Sequence, residues 1–327
     1  MQKRVLIIKD LKKYYHSKKG MVKAIDGVDL EVYSGEIFGF LGPNGAGKTT
    51  TLRIVTTLLT QDSGEAEVAG FDVKNDADEV RRHIGYVSQA GGSDPPATGR
   101  ENLILQGQLY GMRTNDSKKR AEELIVLLDL VEFADRIVYT YSGGQRRRLD
   151  VALGLMNRPT ILFLDEPTTG LDPQNRTNLW MQIRRLREEG TTILLTTHYM
   201  EEADALCDRV AIIDHGKIVA VGTPDELKKR VAGDCIIIGI ENAEEKTSDL
   251  ITSLRNTDFI NEVQMDTSHI RLYVDDGAVA ISSVLKILEE KGVILKTITL
   301  SAPSLDDVFL HETGYSLRDL DAKGGSK

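Results

Sequence analysis

Cysteine is nearly missing from these 327 residues: only Cys207 and Cys235 occur, in no CxxC or other metal-ligand spacing. A disulfide framework belongs to small secreted chains, so both are read as buried free thiols. Long hydrophobic runs are missing too. Purely apolar stretches, Ile236 to Ile238 among them, are only a few residues long, against the ~20 that a membrane-spanning helix needs. The opening residues Met1 to Asp10 carry neither the apolar core nor the small-residue cleavage site of a secretory signal, so a cytosolic location is expected. Positive charge is in deficit. Lys and Arg total 41 against 50 for Asp and Glu, a net charge of −9, which counts against nucleic acid as the main partner because its phosphates must be met by cations. The short basic clusters Lys12-Lys13, Lys18-Lys19 and Lys228 to Arg230 are read as solvated faces. No repeat of solenoid type is present.

The composition that remains, 41% hydrophobic and 28% charged, is ordinary for a globular chain and supplies a real core. At about 150 residues per domain the length suggests roughly two domains. Strand-like pieces open the chain: Val5 to Ile8, Val28 to Val32 and, after a Ser34-Gly35 turn, Ile37 to Leu41. Strand-like runs then alternate with helical patterns: Ile161 to Leu164, Asn178 to Glu188, Thr192 to Thr196 and Val210 to Ile213. Such alternation predicts a parallel sheet covered by helices. The Gly/Pro-rich stretch Gly91 to Pro96, followed by helical spacing from Glu101 to Leu130, predicts a helical insert at 91–157. A composition break at Val231-Ala232-Gly233 divides a first domain, 1–230, from a second, 231–316, with a frayed tail at 317–327. In the second, Cys235 to Ile240, Lys246 to Arg255, Ile260 to Met265, Ile270 to Val274, Ala278 to Glu290 and Val293 to Leu300 read as strand, helix, strand, strand, helix, strand. That order fits a small ferredoxin-like domain.

Gly42-Pro43-Asn44-Gly45-Ala46-Gly47-Lys48-Thr49 satisfies GxxxxGK[ST] between the strand-like Ile37 to Leu41 and the helical Thr50 to Leu59. Glycines let successive backbone N–H groups turn toward a phosphate, the helix offers its positive end, and Lys48 supplies a mobile charge. Thr49 would place its hydroxyl on Mg²⁺. Ile161 to Leu164 leads into Asp165-Glu166. Alone, two carboxylates at a strand end mean little; beside a phosphate loop, Asp165 can hold the Mg²⁺ shell. Glu166, turned the other way on an extended backbone, can activate water. His198 ends the strand Thr192 to Thr197, where open α/β sheets bind ligands. These groups are expected on one edge of the sheet. Ser142-Gly143-Gly144-Gln145 opens a helix whose first turn bears Arg146, Arg147 and Arg148. Cations there oppose the helix dipole, which leaves two readings: an anion nearby, or a solvated cluster capped by Ser142.

Together these residues resemble the ATP-binding-cassette (ABC) ATPases, over roughly residues 5–222. The motifs are the phosphate loop, Gln89 as switch-loop glutamine, the signature Tyr141-Ser142-Gly143-Gly144-Gln145, Walker B Ile161 to Asp165 with Glu166, the D-loop Gly170-Leu171-Asp172 and switch His198. Thr98 to Leu103, Thr169 to Gln174 and the late Pro303 to Leu310 resemble the daunorubicin-resistance type of exporter ATPase, which carries the likeness to about Gly314. Tyr141 stands where the wider family has leucine.

The resemblance implies an α/β P-loop NTPase of ABC type: a mixed sheet core, a β-rich subdomain and a helical insert, with a small C-terminal α+β domain for dimerisation or regulation. It implies that Tyr15, or its neighbour Tyr14, stacks on adenine and that Gly42, Pro43, Asn44, Gly45, Ala46, Gly47, Lys48, Thr49 and Thr50 hold the phosphates of ATP. Thr49, Gln89 and Asp165 would serve Mg²⁺; Glu166, His198, Lys48 and Gln89 would be catalytic. In a head-to-tail homodimer Ser142, Gly143, Gly144 and Gln145, with Asp172, would complete the partner's nucleotide site. Separate permease subunits in the membrane would receive the motion through Gln89 to Gly111, and the expected cargo is hydrophobic or amphiphilic. The competing readings are a soluble cassette ATPase acting on ribosomes or DNA, and an importer ATPase. The first usually carries two cassettes or a long coiled-coil insertion; the second differs only in direction, and Pro303 to Leu310 tilts the reading toward export.

Overall fold

The computed structural model describes residues 3–17, 20–230, 234–240, 250–255, 257–265, 269–291, 293, 295–301 and 303–315. The basic pair Lys18-Lys19, the composition break at 231–233, the start of the helix expected from Lys246 and the tail at 317–327 lie outside them. The chain divides into two compact units, Met1–Val221 and Gly222–Lys327. Among the described residues no helix is long and apolar enough to cross a membrane.

The first unit holds two sheets. A six-stranded sheet runs in the order β10 (Lys217–Gly222), β9 (Arg209–Asp214), β3 (Ile37–Leu41), β8 (Thr192–Thr197), β7 (Ile161–Asp165), β6 (Ile84–Val87). The pairs β9–β3, β3–β8, β8–β7 and β7–β6 are parallel. Every residue of β3, β7 and β8 is buried, which is why these strands show as unbroken apolar runs in the sequence rather than as alternation. The second sheet runs β2 (Gly20–Tyr33), β1 (Arg4–Ser17), β4 (Ser63–Val68), β5 (Phe71–Asp72). Its β1–β2 hairpin is much longer than the short apolar pieces Val5 to Ile8 and Val28 to Val32. Polar residues continue both strands, and the register shifts around Asp10, whose φ is 44°, interrupt the alternation. Between the sheets a core forms from Leu6, Ile8, Val28, Phe38, Phe40 and Phe163, closed by Leu52 and Val55 of α1 (Lys48–Val55).

After α2 (Ala77–His83), the expected insert resolves into α3 (Gly99–Leu109), α4 (Thr114–Leu127) and α5 (Gly143–Gly154). Gly111, at φ 81°, ends the first of these just past its C-cap, so the helical pattern from Glu101 to Leu130 is two helices. Thr98 and Glu101 form a reciprocal capping box at the start of α3. Helix α5 lies against the sheet with no side chain between: a Cβ at Gly85 of β6 would sit 2.0 Å from the Gly154 carbonyl oxygen. Helix α6 (Pro173–Glu188) and α7 (Met200–Leu206) complete the cover.

In the second unit α8 (Pro224–Arg230) precedes β11 (Asp234–Ile240), the helical α9 (250–255), β12 (Ile260–Met265), β13 (His269–Val274), α10 (Gly277–Glu290), β14 (Leu295–Ser301) and α11 (Leu305–Thr313). The sheet order is β12-β13-β11-β14, each pair antiparallel. Ile236, Ile238, Leu254, Leu272 and Val284 form its core. The other sheet face carries the buried pair Arg271–Asp307, which ties β13 to α11. Both cysteines are free and buried; burial pushes the Cys235 thiol up to about 12.

Gly85→Ala should force α5 and β6 apart, because the obstruction is backbone rather than a flexible side chain. The expected loss is about 1–3 kcal/mol, seen in urea unfolding as a lower midpoint with an unchanged slope.

Candidate active site

Strand β3 delivers the chain into the loop Gly42–Gly47, and α1 begins at Lys48. Gly45 and Gly47 take φ values of 83° and 112°, which disfavour any side chain. Gly42 and Gly47 also press against backbone: added Cβ atoms would lie 2.2 Å from the Ile213 carbonyl oxygen and 2.4 Å from that of Ala24. The loop is thus clamped between β9 and β2 with its own backbone facing the helix start.

Lys48 is 4% exposed. Its Nζ donates to the carbonyls of Gly42 (2.7 Å) and Pro43 (3.0 Å) and stands 3.6 Å from Glu166 Oε1. Burial lowers the ammonium's pKa, and Glu166 and Asp165 oppose that shift. The neighbouring Thr49 hydroxyl donates to Asp165 Oδ1 at 3.1 Å. Strand pairing sets Asp165 beside Thr196. The Thr196 hydroxyl gives its proton to Asp165 Oδ1 (2.7 Å) and accepts from the Glu166 N–H (2.9 Å), so one side chain fixes both carboxylate residues.

Glu166 departs from the expectation of an extended backbone. Strand β7 ends at Asp165, and Glu166 has φ 43°, a left-handed conformation that costs an L residue about 1–2 kcal/mol. Its side chain is therefore aimed by the turn and not by strand alternation. Glu166 Oε2 accepts from Gln89 Nε2 and from the Thr169 hydroxyl, both at 3.1 Å, and His198 Nδ1 approaches it at 3.4 Å. Burial alone would raise the Glu166 pKa; His198, the Lys48 charge and Thr169 together outweigh it and hold the carboxyl below its ordinary value. Lys48, Thr49, Gln89, Asp165, Glu166 and His198 thus meet at one edge, as the strand order requires.

Ser142, Gly143, Gly144, Gln145 and Asp172 gather in a second cluster. Ser142 caps α5 in a reciprocal box with Gln145, and Asp172 caps α6 through the Asn175 N–H. A Cβ at Gly144 would lie 2.3 Å from Asn175 Oδ1, and the Asn175 carboxamide donates to Asp172. The Tyr14 hydroxyl is committed to Asp26 Oδ1 at 2.7 Å, whereas Tyr15 is 42% exposed.

The three arginines of α5 meet neither expectation as a group. Arg146 reaches the Ser93 hydroxyl, and Arg148 reaches the Asp129 carbonyl while lying over the Phe133 ring. Arg147 alone is buried, and its partners are backbone carbonyls rather than an anion. Sequence reasoning also missed Thr196, and it placed Thr169 in a motif without seeing that its hydroxyl would donate to Glu166. Thr196 was within reach, since it stands one residue inside the end of a strand that pairs with β7.

A bound MgATP fits this site. The glycine cradle lets phosphate oxygens approach backbone, the buried ammonium supplies charge, and the Thr49 hydroxyl with the Asp165 carboxylate are hard oxygen donors of the kind Mg²⁺ takes beside phosphates and water.

Comparison with known proteins also points to an ATP-binding cassette. The family model described as ABC transporter matches residues 25–169, and that described as ATP-binding protein DrrA1-3-like, C-terminal domain, matches 222–313. The chain is 44% identical over 304 residues to daunorubicin resistance ATP-binding protein DrrA2 of Streptomyces coeruleorubidus, covering 93% of this chain and 94% of that one. It is 36% identical to linearmycin resistance ATP-binding protein LnrL of Bacillus subtilis, covering 96% and 100%. Among solved structures, a dimeric post-hydrolysis state of an ATP-binding cassette bound to ADP and Pi superposes with a TM-score of 0.61 at 28% identity, covering 67% of this chain and 98% of that one. The chain is an ATPase and belongs to the ABC transporter ATP-binding proteins of the daunorubicin/doxorubicin-resistance type.

Proposed function

We propose that this chain is the ATP-hydrolysing subunit of an exporter for a hydrophobic or amphiphilic compound, working as a homodimer on separate permease subunits at the cytoplasmic face of the membrane. The observation that carries the reading is the meeting of Lys48, Thr49, Asp165, Glu166, Gln89 and His198 at the edge where β3, β7 and β8 end. Support for export comes from relatives whose names refer to drug resistance and, in Ralstonia nicotianae, to Nod factor export.

In this reading Thr49 and Asp165 hold Mg²⁺, and Gly42 to Thr50 hold the phosphates, with Tyr15 at the base. Bound MgATP supplies the phosphoanhydride whose cleavage drives the cycle. Glu166 takes the proton of the attacking water, Gln89 and His198 orient around that carboxylate, and Lys48 stabilises charge on the departing phosphates. Ser142 to Gln145 and Asp172 act across the dimer on the partner's nucleotide, consistent with their separate cluster. The permease meets a cleft of about 240 Å³ beside the switch loop, lined by Ser88, Gly91, Gln106, Tyr110 and Asp150. The second unit serves dimerisation or regulation.

Lys48→Ala should lower turnover by at least about 100-fold with weaker nucleotide binding. Glu166→Gln should keep nucleotide binding, lose turnover and accumulate an ATP-bound dimer, read by size-exclusion chromatography with MgATP. A Glu166→Gln protein that hydrolyses at the wild-type rate removes the base assignment.

The depressed Glu166 pKa fixes a pH dependence. Above the ordinary glutamate value the carboxylate is fully ionised, and its function and its contribution to the native state are lost only as pH falls through the lower, folded value. The acid limb of kcat/KM should therefore lie below the ordinary glutamate range. Thr169→Val removes a donor to the carboxylate and should move that limb to higher pH.

Tagged Glu166→Gln protein, incubated with MgATP and detergent-solubilised membranes of its native cell, should co-purify with a stoichiometric multi-span protein. Recovery of ribosomes or DNA without any membrane protein would leave the ATPase and end the exporter reading.

A further inference from the structure

The guanidinium of Arg147 spends its three kinds of nitrogen on three different backbone carbonyls. Nε donates to Pro167 at 2.7 Å, one terminal nitrogen to Ser88 at 2.7 Å and the other to Asp165 at 2.9 Å. The residue is 7% exposed, so these bonds replace its water completely enough to keep a buried cation in place. The identity of the carbonyls is informative. Ser88 is the residue immediately before Gln89, and Asp165 and Pro167 flank Glu166 on both sides. Glu166 is also the residue held at φ 43°, a conformation that persists only where its surroundings over-determine it. Arg147 pins the backbone on each side of it.

The arm that does this grows from α5, whose N-cap is Ser142 and whose far end, at Gly154, abuts β6 at Gly85. Signature helix, switch loop and the end of β7 are thus joined through one planar fork. A lysine in this place would bring a point charge and no such fork.

We propose that Arg147 is a positioning residue for hydrolysis: it fixes the Ser88–Gln89 and Asp165–Pro167 backbones so that the Glu166 carboxylate and Gln89 carboxamide stay in register, and it ties both to the helix that carries Ser142 to Gln145. The proposal rests on Glu166 as the base.

The test uses the full chain, with Lys48→Ala as the blank for contaminating ATPase. Arg147→Gln should leave KM for MgATP within about threefold and lower kcat at least about 30-fold, with Arg147→Lys recovering part of the loss. In the Glu166→Gln background the same change should lower the residual single-turnover rate by less than about threefold, because the group being positioned is already gone. Equal fold-losses in the two backgrounds mark a general structural role and overturn the proposal, as does a wild-type kcat in Arg147→Gln. If Arg147→Gln does not fold, Arg147→Lys is carried through the same two backgrounds: a kcat loss that shrinks in the Glu166→Gln background supports the proposal, and equal losses or a wild-type kcat overturn it. Wild-type turnover in Glu166→Gln alone sinks the base assignment and this proposal with it; wild-type turnover in Arg147→Gln alone sinks only the proposal.

Discussion

An ammonium that is 4% exposed must be matched at its own depth, and the way Lys48 is matched organises most of the first unit. Two carbonyls of its own loop take two of its protons, and Glu166 stands behind them. For the loop carbonyls to turn that way, Gly45 and Gly47 must adopt positive φ and Gly42 and Gly47 must lie flat on neighbouring backbone. For Glu166 to stand there, β7 must end beside β8 in the register that puts Asp165 next to Thr196. A buried cation without its anion, or a buried carboxylate without its donors, would cost several kcal/mol. The site is therefore one electrostatic unit rather than a set of separate motifs. Phosphate oxygens entering it would find a lysine already stripped of water and held by loop carbonyls that a phosphate can replace.

The second unit meets a similar demand by other means. Asp307, 1% exposed, faces Arg271 and accepts from the Tyr273 hydroxyl and from both the N–H and the hydroxyl of Ser304. The same carboxylate thus satisfies a buried guanidinium and closes the capping box of α11. That explains in physical terms why the late segment Pro303 to Leu310 is distinctive in sequence: Ser304 caps, Asp307 is charged and buried, and Leu305, Val308, Phe309 and Leu310 pack. This network joins β13 to α11, which suits a unit that holds shape rather than turns over substrate.

Much of the candidate site was legible because its residues obey rules that act over a few positions. A phosphate loop needs glycine at fixed intervals, buried parallel strands are continuous apolar runs, and the chemistry lies where those runs stop. What escaped has a different origin. Thr196 is one threonine within Thr192 to Thr197, and only the register with β7 separates it from the others. Glu166 looked extended because nothing local announces a left-handed glutamate; the turn is imposed by tertiary contacts. The short strands β4 and β5 carry too few apolar residues to show alternation, β6 is only four residues long and broken by Gly85, and the long β1–β2 hairpin hides its period behind shifts in register. Arg147 was seen as one of three equivalent cations. Helical geometry makes them inequivalent: at 100° per residue, three successive side chains point three ways, and only the middle one faces the sheet.

That inequivalence bears on how a chain with two separated clusters can behave as one catalyst. Ser142 to Gln145 and the Glu166 group share few direct contacts, yet α5 begins with the first and reaches the second. Its contact with β6 is backbone on backbone at Gly85 and Gly154, which leaves little room for the helix to slide independently of the sheet edge. A further contact is the fork of Arg147, whose three bonds would have to break together for α5 to rotate away while the Ser88 and Asp165–Pro167 backbones stayed put. Displacement of the signature helix is therefore a displacement of the turn that aims Glu166. On the reading of a head-to-tail dimer, what the signature senses on the partner's nucleotide then reaches its own chain's base and switch glutamine through a rigid link, without any rearrangement of the loop that holds Lys48.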